Sequence, residues 1–175
     1  MDGKYFLMLS DLFEQFRKQA LLLMKDAEAA GFLDDLTCCY NRRAFDVRLE
    51  QLVELSEVCV MFVDVNGLKQ VNDTQGHLAG DLILKDLGKM LKAHFGGNDV
   101  FRAAGDEFLV LKANIKSNAF ELMVNEFKTT INSTHKTSVA IGCSFTNEEI
   151  DIMSALEKAE KAMYADKQKY YNNLK

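Results

Sequence analysis

Two aspartates in this chain stand where a side chain can leave a buried strand and still be held rigidly. Asp64 follows the apolar run EVCVMFV, and Asp106 lies in the small-residue turn of FRAAGDEFLVL, 42 positions later. If the two strands are neighbours, both carboxylates lie at one edge of a sheet. Hard oxygen ligands suit Mg²⁺, whereas zinc sites usually contain Cys or His. Taken alone, the two residues are more simply explained as turn or helix-cap aspartates.

The segment after Asp64 adds residues that could recognise a nucleotide. DVNGLKQVNDTQGHLAGD contains Lys69, Asn72, His77 and Asp81 within thirteen residues, and its three glycines let the backbone approach a ligand. Asn and Asp pair with donors and acceptors at a base edge, and Lys beside a metal neutralises a phosphate. Singly, Lys69 or His77 would be an ordinary exposed helix residue. Together with the metal ligands, these residues predict a nucleotide site.

The order of predicted elements is that of an α+β domain. Apolar and β-branched runs predict strands at about 57–65, 100–103, 108–112 and 137–145. Amphipathic spacing predicts helices at about 41–55, 78–95, 117–132 and 151–170. We therefore expect a central, mostly antiparallel sheet flanked by helices, with Asp106 at the tip of a hairpin.

Residues 4–30 form a separate pattern, in which apolar residues alternate spacings of three and four over more than three heptads. This spacing predicts one helix with a narrow apolar seam. The helix could pack on its own domain, but its charged flanks favour a parallel dimer helix. Because Gly31 ends it, we predict an N-terminal signalling and dimerisation helix at 1–31 and a globular domain at 32–175.

Composition narrows the expected partners and location. The chain has 21 Lys and Arg against 26 Asp and Glu, a net charge of −5, and its cations form no basic face. Nucleic acid is therefore not an expected partner. No apolar run approaches the about twenty residues that cross a bilayer, so no membrane contact is expected within this chain. Four cysteines without CxxC spacing suit a reducing cytoplasm.

Five motifs in order resemble those of the GGDEF domains, the diguanylate cyclases of bacterial cyclic di-GMP signalling. They are DDLTCCYNRRAF, FVDVNGLKQVNDTQGHLAGD, RAAGDEFLVL, SVAIGCS and ALEKAEKAMYADK, which together cover about residues 34–172. The order and spacing make the resemblance far more specific than the AGDEF signature alone. It implies a palm-like GGDEF fold preceded by the N-terminal helix.

The resemblance also implies roles for individual residues. Asp64, the backbone carbonyl of Val65 and Asp106 would hold Mg²⁺, with Mn²⁺ as a possible substitute, and Asp106 would be the base for the attacking hydroxyl. Asp106 and Lys69 are thus the expected catalytic residues. Asn72 and Asp81 would contact the guanine edge. His77 would lie beside the substrate, and the apolar Leu68 would form a wall of the nucleotide pocket. Lys69 and Lys167 would contact the triphosphate.

The implied reaction joins two GTP molecules into 3′,5′-cyclic di-GMP and releases two pyrophosphates. Each 3′-hydroxyl attacks the α-phosphate of the other nucleotide, so metal ions must offset the charge that develops on the phosphoryl oxygens. One domain holds one GTP, so the family works as a homodimer with facing half-sites. A parallel helix at 1–31 would raise the effective concentration of the second half-site and could transmit a signal from an upstream sensor or partner.

Several positions depart from the family pattern. Ala104 replaces the first Gly of the signature, which is tolerated if its φ is negative, and Asn66 replaces a second Asp with loss of one charge. Tyr171 stands near the place of a phosphate-binding Arg, and Asp166 stands where a small residue is common. We expect the lost Arg to weaken GTP binding unless Lys169 substitutes for it.

Two further expectations concern regulation and the competing functions. The family's RxxD inhibitory motif would fall on residues 95–98, which read FGGN, so no inhibitory site for the product is expected.

The first alternative function is a catalytically degenerate GGDEF domain that binds GTP and regulates a partner. A different nucleotide cyclase of the same palm-like fold is less favoured, because the carboxylate of Asp81 suits the N–H donors of guanine.

Overall fold

The computed structural model describes residues 31–52, 57–134, 137–147 and 150–173. The chain divides into two compact units, Met1–Leu33 and Asp34–Lys175. The helix predicted at 4–30 lies outside the described residues, so its role remains a prediction. None of the described helices is long and apolar enough to cross a bilayer.

The described elements follow the predicted order to within a few residues. The strands are β1 (Tyr40–Asn41), β2 (Val58–Val65), β3 (Val100–Ala104), β4 (Glu107–Ala113) and β5 (Val139–Phe145). The helices are α1 (Arg42–Leu52), α2 (Leu68–Gln75), α3 (His77–Phe95), α4 (Ser117–Thr134) and α5 (Ile152–Asn172), with a 3₁₀ turn at Gly97–Asp99. Strand β1 was not predicted, because two residues are too few to show an alternating pattern.

The described strands form one mixed sheet in the order β1-β3-β4-β2-β5. The pairs β2–β4, β2–β5 and β3–β4 are antiparallel, and only the short β1 runs parallel to its neighbour β3. The predicted α+β class with a mostly antiparallel sheet is therefore confirmed. Strand β2 lies between β4 and β5, and its end at Asp64 is paired with Glu107 on one side and Ala140 on the other.

Helices cover the sheet and bury its apolar side chains. One core cluster joins β2 and β4 to α3 and α4, with Phe95 packed on Phe120 and Phe127 at ring-centroid distances of 5.9 and 5.4 Å. Helix α5 packs on β5 and β2. The sheet therefore presents the end of β2 between covering helices, and α5 passes close to it.

The contact between α5 and β5 depends on Gly142. A Cβ atom at this position would lie 2.1 Å from both the carbonyl oxygen of Ala159 and the nitrogen of Met163. Real Cβ atoms do not approach backbone so closely, so the helix can lie against the strand only where no side chain exists. Since α5 also carries Lys167, this glycine sets the distance of that lysine from β2.

We expect Gly142→Ala to lower the free energy of unfolding by about 3 kcal/mol, because the new methyl group meets fixed backbone rather than a movable side chain. Urea unfolding followed by circular dichroism measures the change. The matched control is Gly97→Ala, since a Cβ there meets nothing within 4 Å. An unfolding free energy of Gly142→Ala equal to that of the control would contradict the close packing of α5 on β5.

Candidate active site

The two aspartates singled out by their sequence positions lie at the same edge of the sheet. Asp64 is the penultimate residue of β2, and its partner in the β4 register is Glu107, the residue after Asp106. The backbone N–H of Val65 donates to the backbone carbonyl of Asp106, with an N···O distance of 3.4 Å. The end of β2 and the tip of the β3–β4 hairpin are thus bonded to each other.

A lysine from α5 also meets this edge. The ammonium of Lys167 donates a hydrogen bond to Oδ2 of Asp64 at 2.7 Å and lies 2.6 Å from Oδ1. The Asp64 side chain is only 4% exposed, whereas that of Lys167 is 25% exposed. The ion pair therefore joins a buried carboxylate to a cation that still reaches solvent.

The pKa values at this edge are shifted by burial and by the neighbouring charges. Burial raises the pKa of Asp64 above its usual range, the hydrogen bond from Lys167 opposes the rise, and Asp106 adds to it. Burial also raises the pKa of Glu107, and the charges of Asp64 and Asp106 raise it further. Burial alone would lower the pKa of Lys167, but the hydrogen bond and charge of Asp64 outweigh it and raise that pKa. Burial and like charge therefore disfavour the ionised forms of Asp64 and Glu107.

The oxygen ligands at this edge are typical of a magnesium site completed by water and substrate, and not of a metal held by protein side chains alone. Among the residues that the structure describes, no three His, Cys, Asp or Glu side chains converge closely enough to hold a metal. Mg²⁺ is commonly held by one or two carboxylates together with water and substrate phosphates. Asp64, Asp106 and the carbonyl of Val65 match that donor set, and a divalent cation would offset the negative charge of the two carboxylates.

A cavity of about 500 Å³ opens beside this edge. Five of the residues predicted for the site line it: Leu68, Lys69, Asn72, His77 and Asp106. Asp64, Asp81 and Lys167 are not among the lining residues. Asp81 lies on α3 and is half-buried, one turn beyond His77. The structure thus brings the segment 68–77 and the hairpin tip around one cavity.

Asn72 is packed in a way that favours a ligand. Its Oδ1 atom is buried and accepts no hydrogen bond from the described residues. A buried acceptor without a donor is costly, so an N–H group of a ligand that reached this oxygen would be bound favourably. Helices α2 and α3 meet here at Gly80, where a Cβ atom would lie 2.0 Å from Asn72 Oδ1.

We expect Gly80→Ala to weaken GTP binding by about tenfold, because the new methyl group must push the Asn72 carboxamide out of its position. The fold should survive, since the atom displaced is the end of a movable side chain. Isothermal titration with GTP, with circular dichroism as a folding check, measures the change. Unchanged GTP affinity in a folded Gly80→Ala protein would show that Asn72 is not a nucleotide contact, and Gly97→Ala again serves as the control.

A second ion pair, which the sequence interpretation missed, holds the hairpin tip. Arg102 donates from Nη1 to Oδ1 of Asp34 at 2.9 Å, and from Nε and Nη2 to the carbonyl of Gly105 at 3.0 and 2.7 Å. Thr37 donates to the same Asp34 oxygen from its backbone N–H and its hydroxyl. The turn that carries Asp106 is therefore tied to the DDLT loop.

This tie predicts a specific pH dependence. Burial by itself would raise the pKa of Asp34, but hydrogen bonds from Thr37 and Arg102 outweigh it and lower that pKa below its usual value of 3.8. The stabilisation by the carboxylate is therefore present above about pH 3.8 and is lost as pH falls through the lower, folded-state pKa. We expect Asp34→Asn to be less stable than the unsubstituted protein at pH 6, and the difference to shrink in the acid range.

Urea unfolding at several pH values between about 2.5 and 6 tests this expectation. The control is Asp35→Asn at the exposed neighbouring position, which should change the unfolding free energy by less than about 0.5 kcal/mol at each pH. A difference between Asp34→Asn and the unsubstituted protein that stays constant across this range would contradict the pKa argument.

The structure shows the backbone conformation or the hydrogen bonds at the positions that depart from the family pattern. Among the described residues other than glycine, only Cys38 and Asn114 have positive φ, so Ala104 meets the condition under which it is tolerated. Asp166 accepts a hydrogen bond from the N–H of Ile141 at 3.0 Å, on strand β5. The hydroxyl of Tyr171 accepts from the N–H of Gly67 at 3.4 Å.

Asn66, the remaining departure, is bonded away from the carboxylates. Its backbone N–H donates to the carbonyl of Ser138 and its side-chain amide donates to the hydroxyl of the same residue. The Oδ1 atom is buried without a partner among the described residues. The amide therefore links the end of β2 to the residue before β5.

Comparison with known proteins places this architecture in a family. Residues 31–173 match the family model described as diguanylate cyclase, GGDEF domain. The diguanylate cyclase TpbB of Pseudomonas aeruginosa is 34% identical over 150 residues, which cover 77% of this chain and 34% of that protein. The cyclic di-GMP phosphodiesterase PdeR of Escherichia coli is 29% identical over 147 residues, which cover 77% of this chain and 22% of that protein.

A solved structure shows the same fold. The coiled coil and GGDEF domain of DgcB from Caulobacter crescentus, solved in complex with c-di-GMP, is similar with a TM-score of 0.73 at 20% identity over 95% of each chain. The chain spans about a third of the length of TpbB and about a fifth of that of PdeR. Because the family match covers most of the sequence, the chain belongs to the GGDEF family of diguanylate cyclase domains.

Proposed function

We propose that this domain is a diguanylate cyclase that condenses two GTP molecules into 3′,5′-cyclic di-GMP with release of two pyrophosphates. The observation that carries the proposal is the meeting of Asp64 and Asp106 at one sheet edge, beside a cavity lined by Lys69, Asn72 and His77. Membership of the family supports the same chemistry. The proposal places the domain in the cytoplasm, where GTP is available.

In this proposal Asp64, Asp106 and the carbonyl of Val65 hold Mg²⁺, with Mn²⁺ as a possible substitute. A bound divalent ion lowers the pKa of the 3′-hydroxyl and offsets charge on the phosphoryl oxygens. Asp106 accepts the proton of the attacking hydroxyl, which it can do because it lines the cavity at the hairpin tip. Lys69 and Lys167 neutralise the triphosphate.

In this proposal, residues of α2 and α3 recognise guanine. The buried Oδ1 of Asn72 accepts from a guanine N–H group, and the carboxylate of Asp81 accepts from a second. His77 lies beside the substrate, and Leu68 forms an apolar wall against which the nucleotide packs. A base without these N–H donors would leave Asn72 unpaired, which is the physical basis for selecting guanine.

The reaction needs a second copy of the chain. One domain offers one set of metal and guanine contacts, so two domains must face each other as a homodimer for the two nucleotides to attack one another. A dimer helix at 1–31 would raise the effective concentration of the second half-site. An upstream sensor or partner protein would act through the same segment.

Incubation of the purified protein with GTP and Mg²⁺, followed by chromatography, tests the proposed reaction. We expect cyclic di-GMP from the unsubstituted protein and a loss of at least about 100-fold in rate for Asp106→Asn, because the amide neither accepts the proton nor carries the charge that holds the metal. Asp46→Asn, at an exposed position on α1, should retain full activity. Retained activity in Asp106→Asn would show that the metal site is assigned wrongly.

The competing function is a degenerate domain that binds GTP and regulates a partner without turnover. It is favoured by Tyr171 near the place of a phosphate-binding Arg, by Asn66 in place of a second Asp, and by the similarity to PdeR, which is named a phosphodiesterase. Measurable GTP binding with no cyclic di-GMP at any protein concentration would support this function and exclude the enzyme.

A further inference from the structure

Lys167 contacts a carboxylate that the proposed metal site would use. Its ammonium nitrogen is within 2.7 Å of both carboxylate oxygens of Asp64, the more buried of the two proposed metal-binding aspartates. The approach to Oδ1, at 2.6 Å, is not that of a hydrogen bond, and this buried oxygen accepts no hydrogen bond from the described residues. The lysine therefore neutralises Asp64 without satisfying both of its oxygens.

Helix α5 holds the lysine in this place through contacts on either side of it. Before Lys167, the helix lies on β5 at backbone distance from Gly142. One turn after it, the hydroxyl of Tyr171 accepts from the N–H of Gly67, in the loop that follows Asp64. Residues four apart share one face of a helix, so Lys167 and Tyr171 reach the same segment together.

An ammonium and a divalent cation compete for such a carboxylate. Mg²⁺ binds oxygen at about 2.0–2.1 Å, whereas the ammonium needs about 2.7–2.9 Å, so the two ions cannot use the same side of Asp64 at once. Lysine has a flexible four-carbon stem and can move its charge without moving the helix. The side chain is 25% exposed, which leaves it a route toward solvent.

We propose that Lys167 is a built-in competitor for the metal position, which a divalent cation must displace from Asp64 before the site is loaded. The displaced ammonium then becomes available to the nucleotide phosphates, so loading of the metal and of the triphosphate are coupled through one side chain. This inference rests on the proposed function in that it takes Asp64 as a metal ligand. It assigns Lys167 a role in the empty site as well as in the occupied one.

Metal binding without nucleotide tests the competition. We expect Lys167→Met to bind Mn²⁺ about tenfold more tightly than the unsubstituted protein, measured from the electron paramagnetic resonance signal of free Mn²⁺. The control is Lys158→Met, which removes an exposed charge nine residues earlier on α5. Equal or weaker Mn²⁺ binding in folded Lys167→Met would overturn the proposal.

A second measurement uses the unsubstituted protein and does not depend on the variant folding. Amine-reactive labelling followed by mass spectrometry should show Lys167 becoming more reactive when Mg²⁺ is added, while Lys158 stays unchanged. Unchanged or reduced reactivity of Lys167 at a Mg²⁺ concentration that saturates the site would overturn the proposal. Neither measurement uses GTP or turnover, so a failure to make cyclic di-GMP would overturn the proposed function and leave this inference standing.

Discussion

Backbone contact between α5 and β5 is the constraint on which the rest of the site depends. Because Gly142 has no side chain, the helix lies directly on the strand, and the side chains of its last turns are within reach of the end of β2. Three of them make contacts there: Asp166 with the N–H of Ile141, Lys167 with Asp64, and Tyr171 with the N–H of Gly67. A larger residue at position 142 would push α5 away from β5 and would therefore disturb all three contacts together.

The ion pairs Arg102–Asp34 and Lys167–Asp64 differ in a way that separates a structural contact from the proposed functional one. At Asp34, hydrogen bonds from Thr37 and Arg102 outweigh burial, and the lowered pKa marks a carboxylate whose charged form is favoured. At Asp64, burial outweighs the hydrogen bond from Lys167, and the raised pKa marks a carboxylate whose charged form is disfavoured, mainly by burial and also by the nearby Asp106. The first pair is a structural tie, and the second lies at the proposed metal site. Perturbed pKa values that arise from burial and like charge are typical of functional sites.

The features that were predictable from the sequence are mostly those that lie within a single segment, the meeting of Asp64 and Asp106 being the exception. Alternation and helical spacing predicted β2, β4, α3 and α5 to within a few residues, and the residues of 68–77 that were predicted to contact a nucleotide are close in the chain as well as in space. The ties between Arg102 and Asp34, 68 positions apart, and between Lys167 and Asp64, 103 positions apart, leave no local pattern. The residue types at these positions were visible, but only the strand register and the placement of α5 show which of them meet.

Tyr171 illustrates how a substitution can change the role of a position. Considered only as the loss of a phosphate-binding Arg, it predicts weaker GTP binding. In the structure the hydroxyl of Tyr171 accepts from the N–H of Gly67, at the turn that leads from β2 into α2. Compared with Arg, the tyrosine therefore lacks a positive charge but adds this hydrogen bond. A backbone N–H at the start of a helix is itself a group that binds phosphate. Under the proposed function, the hydroxyl would therefore cover a donor that the triphosphate could use, and the nucleotide would have to displace both this contact and Lys167 to reach the end of β2.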